Sequence, residues 1–184
     1  MPFEFDEASR DEETKSVDEA DSRMMPDDAP DKAKRYFQLG YEAQMGGRLD
    51  EAVAHYRSSI DIRPTAEAHT FLGWALSYLG RHAEAIDECR VAISFDPDFG
   101  NPYNDIGAYL IELGRDEEAV DWLERAKTAR RYEPRHFPYF NLARLYVKRH
   151  RIREAIRELE GAIAIEPGYT PARRELHRLL GMLN

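Results

Sequence analysis

From residue 32 onward, apolar and small residues recur at intervals of three and four, as in Tyr103, Ile106, Gly107 and Leu110, or Ala119, Leu123 and Ala126. That spacing lines one face of a helix. The helical stretches come in pairs, each divided by a turn marker: Gly47-Arg48, Gly80-Arg81, Gly114-Arg115 and His150-Arg151. Glycine stops a helix at low cost because it tolerates positive φ, and the acids just beyond, Asp50-Glu51 and Asp116-Glu117, favour the amino end of the next one. The pattern predicts helical hairpins throughout.

The hairpins repeat. Aligned on Leu39-Gly40, Leu72-Gly73, Ile106-Gly107 and Leu142-Ala143, the chain returns to register after 33, 34 and 36 residues. Three positions before each apolar residue stand Tyr36, His69, Tyr103 and Tyr139, and thirteen after it stand Ala52, Ala85, Ala119 and Ala155. Tyr56, Cys89, Leu123 and Leu159 follow, then small residues at Ser59, Ala92, Ala126 and Ala162, then a proline near each unit's end at Pro64, Pro97, Pro134 and Pro167. The glycines and alanines mark close helix contacts, where a bulky replacement costs about 1–3 kcal/mol. The third unit carries two extra residues, so a bulge is expected over 130–136; the fourth replaces the glycines with Ala143 and His150.

An aromatic, a Leu-Gly pair, then Ala, a large apolar residue, Ala and Pro is a pattern that resembles the tetratricopeptide repeat family, with units at about 33–65, 66–99, 100–135 and 136–169. The resemblance implies an all-α, right-handed superhelical array of four hairpins. Residues 170–184 are expected to form a capping helix, with Leu176, Leu179, Leu180 and Leu183 on its apolar stripe. It also implies a concave groove, lined by the first helix of each hairpin, that holds a peptide or helix of a protein partner. The slots that face such a groove hold Phe37, Tyr41, Trp74, Asn101, Asn104, Ile111, Phe140 and Arg144, an aromatic trough with Trp74 and Tyr41 as the favoured anchors. Phe37 and Phe137 also fit as packing between hairpins. Family members that clamp a terminal carboxylate use a Lys-Asn pair, a further Asn and a Lys-Arg pair, which the matching slots here lack. An asparagine ladder is absent too, because its slot holds Gln38, Phe71, Asp105 and Asn141.

Charge is uneven. The 184 residues contain 35 acids and 26 bases, a net charge of −9, and residues 1–31 alone hold 12 acids and 3 bases. That stretch has little to bury and is expected to be a disordered acidic tail. Residues 32–124 are acidic (−8) and 125–184 basic (+8). Arg130, Arg131, Arg149, Arg151 and Arg174 are candidates for a basic surface that attracts an acidic segment, including the tail itself, or nucleic acid; interspersed Glu154, Glu158 and Glu160 favour an ordinary solvated face.

The motifs of phosphate-binding, dinucleotide, serine-hydrolase and zinc-protease sites are missing, the six histidines occupy unlike slots, and Cys89 sits where other units bury Tyr56, Leu123 and Leu159. No enzyme, metal or cofactor is expected. No apolar run crosses a bilayer and the amino terminus is acidic, so the expected location is the cytoplasm. The leading function is a non-catalytic interaction scaffold. A small chaperone for a secreted or assembling client is the alternative, since the size, acidity and 133–138 junction resemble three-repeat proteins of bacterial secretion systems. Weak self-association through an uncovered first hairpin is also expected.

Overall fold

The structure is a computed structural model that describes residues 29–183. Nine helices follow one another among these residues: α1 (Ala29–Met45), α2 (Leu49–Ile62), α3 (Ala66–Tyr78), α4 (His82–Phe95), α5 (Asn101–Glu112), α6 (Asp116–Thr128), α7 (Phe137–Lys148), α8 (Ile152–Ile165) and α9 (Thr170–Gly181). Helix α1 takes in Ala29–Asp31, which sequence composition assigned to the tail; the rest of that tail lies outside the described residues. The fold is all-α. Among the described residues, β-type pairing is limited to one isolated bridge, between Phe99 and Arg131.

Each hairpin closes on the slots that repeat. Ala52, Ala85, Ala119 and Ala155 are fully buried, as are Tyr56, Cys89, Leu123 and Leu159. The large members of this slot press on the small residues opposite: a Cβ on Gly107 would lie 2.5 Å from Leu123 Cγ, and one on Gly40 would lie 2.7 Å from the Tyr56 ring. The helices could not approach this closely with a side chain in either place. Cys89 is an inert core residue, its thiol pushed well above the ordinary range by burial.

The turns within the hairpins share one construction. In the second, the Arg81 N–H donates to Leu76 O and the Gly80 N–H to Ser77 O, both at 2.9 Å, which satisfies carbonyls at the end of α3 through a Schellman motif. Glycine stands at φ near +74° in three of the turns, and His150 takes the same role at φ 57° in the fourth. The arginine that follows opens the next helix and pairs three residues on: Arg48 with Glu51, Arg81 with Glu84, Arg115 with Glu118 and Arg151 with Glu154. Between hairpins, α5, α7 and α9 start with proline at their second position, where a missing N–H costs nothing.

The two extra residues of the third unit form the expected bulge. Its strand-like start runs beside 98–100, with Gly100 N–H to Arg131 O and Arg131 N–H to Asp98 O, both 2.9 Å. Tyr132 is buried directly on Gly100, where a Cβ would sit 2.5 Å from the tyrosine's own Cβ and Cγ. The peptide bond between Glu133 and Pro134 is cis.

First helices α1, α3, α5 and α7 pack on one another in sequence, whereas the second helices pack mainly on first helices, with α6 and α8 joined by the Lys127–Glu158 ion pair. The array therefore curves toward the first helices, and they form its inner wall. Helix α9 covers the far end, packing Ala172 and Leu179 against α8. No helix among the described residues is long and apolar enough to cross a membrane.

Candidate inner-wall site

The wall divides into an aromatic part and a polar part. On α1 and α3, Phe37 meets Phe71 edge-on with centroids 5.0 Å apart, and Phe71 leans on Trp74 at the same distance. Tyr41 meets the edge of Phe71 at 6.1 Å and remains 40% exposed. Of these four residues it has the largest exposed fraction. Phe37, Phe71 and Trp74 are half-buried and packed on the core. A cavity of about 210 Å³ opens where α1 faces the start of α3, with Phe37, Pro30 and Ala33 against Lys34, Arg63 and Glu67.

On α5 and α7 the side chains are joined by hydrogen bonds. Trp74 Nε1 donates to Asp105 Oδ2 at 2.6 Å, Asn104 Nδ2 to Asp105 Oδ1 at 3.2 Å, and Asn141 Nδ2 to Asn104 Oδ1 at 3.0 Å. The chain of bonds thus links α3, α5 and α7 across the wall. Asp105 is 7% exposed, and burial lifts its carboxyl pKa to about 7 against the downward pull of Trp74 and Asn104. Beyond it, Arg144 reaches Glu112 at 3.5 Å, and Phe140 meets Tyr169 edge-on at 5.2 Å.

Of the eight residues that sequence placed in the groove, the structure sets Phe37, Tyr41 and Trp74 together in the aromatic part. Asn101 lies at the start of α5, where its amide reaches Glu133 O at 3.4 Å. Phe140 is half-buried under Tyr169 and Arg144 is exposed. Two differ from the expectation of open groove positions. Asn104 and Ile111 are buried, the first because both ends of its amide are taken up by Asp105 and Asn141, the second because it belongs to the central core. Trp74 is also less free than a simple anchor, since its N–H is engaged.

Sequence reasoning missed Asp105, Phe71 and Asn141 as a working group. They share one repeat slot, immediately before the apolar–small pair, and the lone acid in that slot was the available signal.

The basic candidates are a weaker feature than their number suggests. Arg131 is held by Asp96 at 2.6 Å and Glu67 at 3.0 Å and lies over the Phe99 ring; Arg149 lies 3.9 Å from Asp116 and 3.6 Å from Glu117; Arg151 pairs with Glu154 at 3.0 Å. Arg131 in turn holds the Asp96 carboxyl below its usual range. Arg130 is 3.8 Å from Asp98, and Arg174 has no ion pair among the described residues. Expected as a patch, these arginines are mostly intramolecular bridges: Arg130, Arg131 and Arg149 meet acids of the preceding unit and Arg151 one on the helix it opens. Among the described residues no group of three or more His, Cys, Asp or Glu side chains is placed to hold a metal.

Comparison with known proteins agrees with the hairpin array. Family models described as "Tetratricopeptide repeat" match residues 37–98 and 103–131. The small glutamine-rich tetratricopeptide repeat-containing protein 2 of Mycosarcoma maydis is 31% identical over 91 residues, which are 49% of this chain and 26% of that protein. The match thus spans about a quarter of that curated relative's length. Among solved structures, Pseudomonas aeruginosa PilF superposes with a TM-score of 0.75 at 25% identity, over 85% of this chain and 69% of that one. PilW, a type IV pilus biogenesis factor, gives 0.73 at 23% identity, over 82% and 69%. YrrB, described as having an unusual peptide-binding site, gives 0.67 at 18% identity, over 91% and 85%.

Proposed function

We propose, from the premise that the chain is a tetratricopeptide repeat protein, that it is a non-catalytic interaction scaffold which seats an extended peptide or a helix of a protein partner on its inner wall. The observation that carries this reading is the aromatic row Phe37, Tyr41, Phe71 and Trp74, with Tyr41 40% exposed at its edge. Covering such rings removes a large apolar area from water, and rigid aromatics lose little entropy in doing so. Phe37, Phe71 and Trp74 already rest on the core, so the surface is held in shape before a ligand arrives. The polar part beside it supplies direction: amides and a carboxylate fixed by one another and unable to swing away.

The mostly paired arginines of the last hairpin and the loop before it speak for a protein partner over nucleic acid, since a phosphate backbone needs several free cations on one face. A chaperone role for a single client is a narrower form of the same reading.

Selection of random displayed peptides on the full chain tests it. Enriched peptides should bind with a change in Trp74 fluorescence and lose at least about tenfold in affinity to Tyr41→Ala, the equivalent of about 1.4 kcal/mol. Peptides that bind the wild type and Tyr41→Ala equally would place the site elsewhere.

A further inference from the structure

We propose that Asp105 is a seat for a cationic side chain, a lysine or arginine, of the peptide that occupies the inner wall. This rests on the scaffold reading above and adds the chemistry of one ligand residue to it.

The first observation is a contrast among acids. Two other carboxylates with little exposed side chain each meet a cation: Asp116, 14% exposed, has Lys148 at 2.9 Å, and Glu158, 18% exposed, has Lys127 at 2.8 Å. Asp105 is more buried than either. Yet among the described residues no lysine, arginine or histidine pairs with it; its two bonds come from the neutral donors Trp74 and Asn104. A carboxylate withdrawn from water without a counter-charge is costly, and the cost is recovered when a cation arrives.

The second observation is position. Asp105 lies where the aromatic and polar parts of the wall join, held on one side by the Trp74 indole and on the other by the Asn104–Asn141 pair. Each carboxylate oxygen accepts one of these bonds and keeps acceptor capacity for another. Trp74, which bonds Asp105, is packed against Phe71, and aromatic rings favour positive charge over their faces.

The third observation is that none of the described residues around Asp105 can take the cation's place. From α3 it is faced by Trp74; from α4 by Cys89; from its own helix by Asn104 and Tyr109; from the bulge by Tyr132. Burial and the Asp105 charge raise the thiol and both phenols, so all three stay neutral. Helix α6 turns Ala119 and Leu123 toward α5, and α7 contributes Asn141 through Asn104. Elsewhere on α4 and α5, Glu88 meets His69 at 2.7 Å and Glu112 meets Arg144 at 3.5 Å. Since the Asp105 carboxyl keeps its proton up to about neutral pH, a ligand cation must displace that proton, and its affinity rises with pH.

The test uses peptides selected from a random displayed library on the full-length protein at about pH 8, where the carboxyl is ionised. One basic position should be enriched. Replacing it with citrulline or acetyl-lysine should weaken binding to the wild type by about tenfold or more, and binding of the basic peptide should weaken by about tenfold from about pH 8 to about pH 6. With Asp105→Asn, which keeps an acceptor for Trp74, both effects should shrink to within about twofold. Peptides that need Tyr41 but show no basic position would overturn the seat and leave the scaffold reading standing, and so would a basic peptide held equally by Asp105→Asn. Failure to enrich any peptide that depends on Tyr41 would overturn both. The citrulline comparison is made on the wild-type chain, so its outcome does not depend on how the variant folds.

Discussion

The seam inside each hairpin and the wall that the hairpins share are built on opposite rules. Along the seam, the same slots close in all four units, with Ala52, Ala85, Ala119 and Ala155 all sealed from water. Along the wall, the slot before each apolar–small pair holds glutamine, phenylalanine, aspartate and asparagine in turn. A repeat array needs an identical seam in every unit to stack at all, while its wall only has to be compatible with its neighbours. Constancy therefore marks what makes the fold, and variation marks what distinguishes this member from others.

Substitutions should separate the two regions, beginning with the seam. Leu123→Ala removes a fully buried side chain that lies against Gly107 and should cost about 3 kcal/mol in denaturant unfolding. A loss under about 1 kcal/mol would mean that the seam is loosely packed.

The wall should give the reverse sign at Asp105. Its folded pKa of about 7 stands above the ordinary value of 3.8, so the folded state holds the proton more tightly. The group's contribution is thus most favourable below about pH 4, fades as pH climbs to about 7, and is a fixed penalty above that. Asp105→Asn should raise stability by on the order of 2 kcal/mol at about pH 8 and flatten the pH profile of unfolding across that window. A variant that is less stable than the wild type at that pH would show that the charge is compensated.

Smaller effects sharpen the contrast. His150→Gly relieves a positive φ and should gain about 0.5–1 kcal/mol, seen as a modest rise in Tm. Tyr41→Ala, at an exposed wall position, should change stability by no more than about 0.5 kcal/mol while abolishing capture of the selected peptides. A large loss of stability there would move Tyr41 from the wall to the core.

Most of the seam is readable in the chain, because helix period and turn residues act over a few positions. Gly80-Arg81 announces its turn, and the Arg81–Glu84 spacing is visible beside it. The bulge near 130–136 is foreseeable from two surplus residues, but not that Tyr132 would fold back onto Gly100. The wall is harder. Asn104 has the right register to face the groove and is nevertheless consumed by Asp105 and Asn141. The basic stretch from residue 125 onward carries a charge of +8 in the sequence, yet Lys148 is matched by Asp116 and Arg131 by Asp96, partners more than thirty positions away.

By itself, then, the sequence determined the four hairpins and their small-residue contacts, since these follow from backbone geometry and side-chain size within one unit; that the first helices face inward was implied by the family resemblance. Only the stacked structure decided which inward residues remain open, which are tied to one another, and that Asp105 has no counter-charge among the described residues. Those outcomes depend on distances between hairpins, which no local period contains.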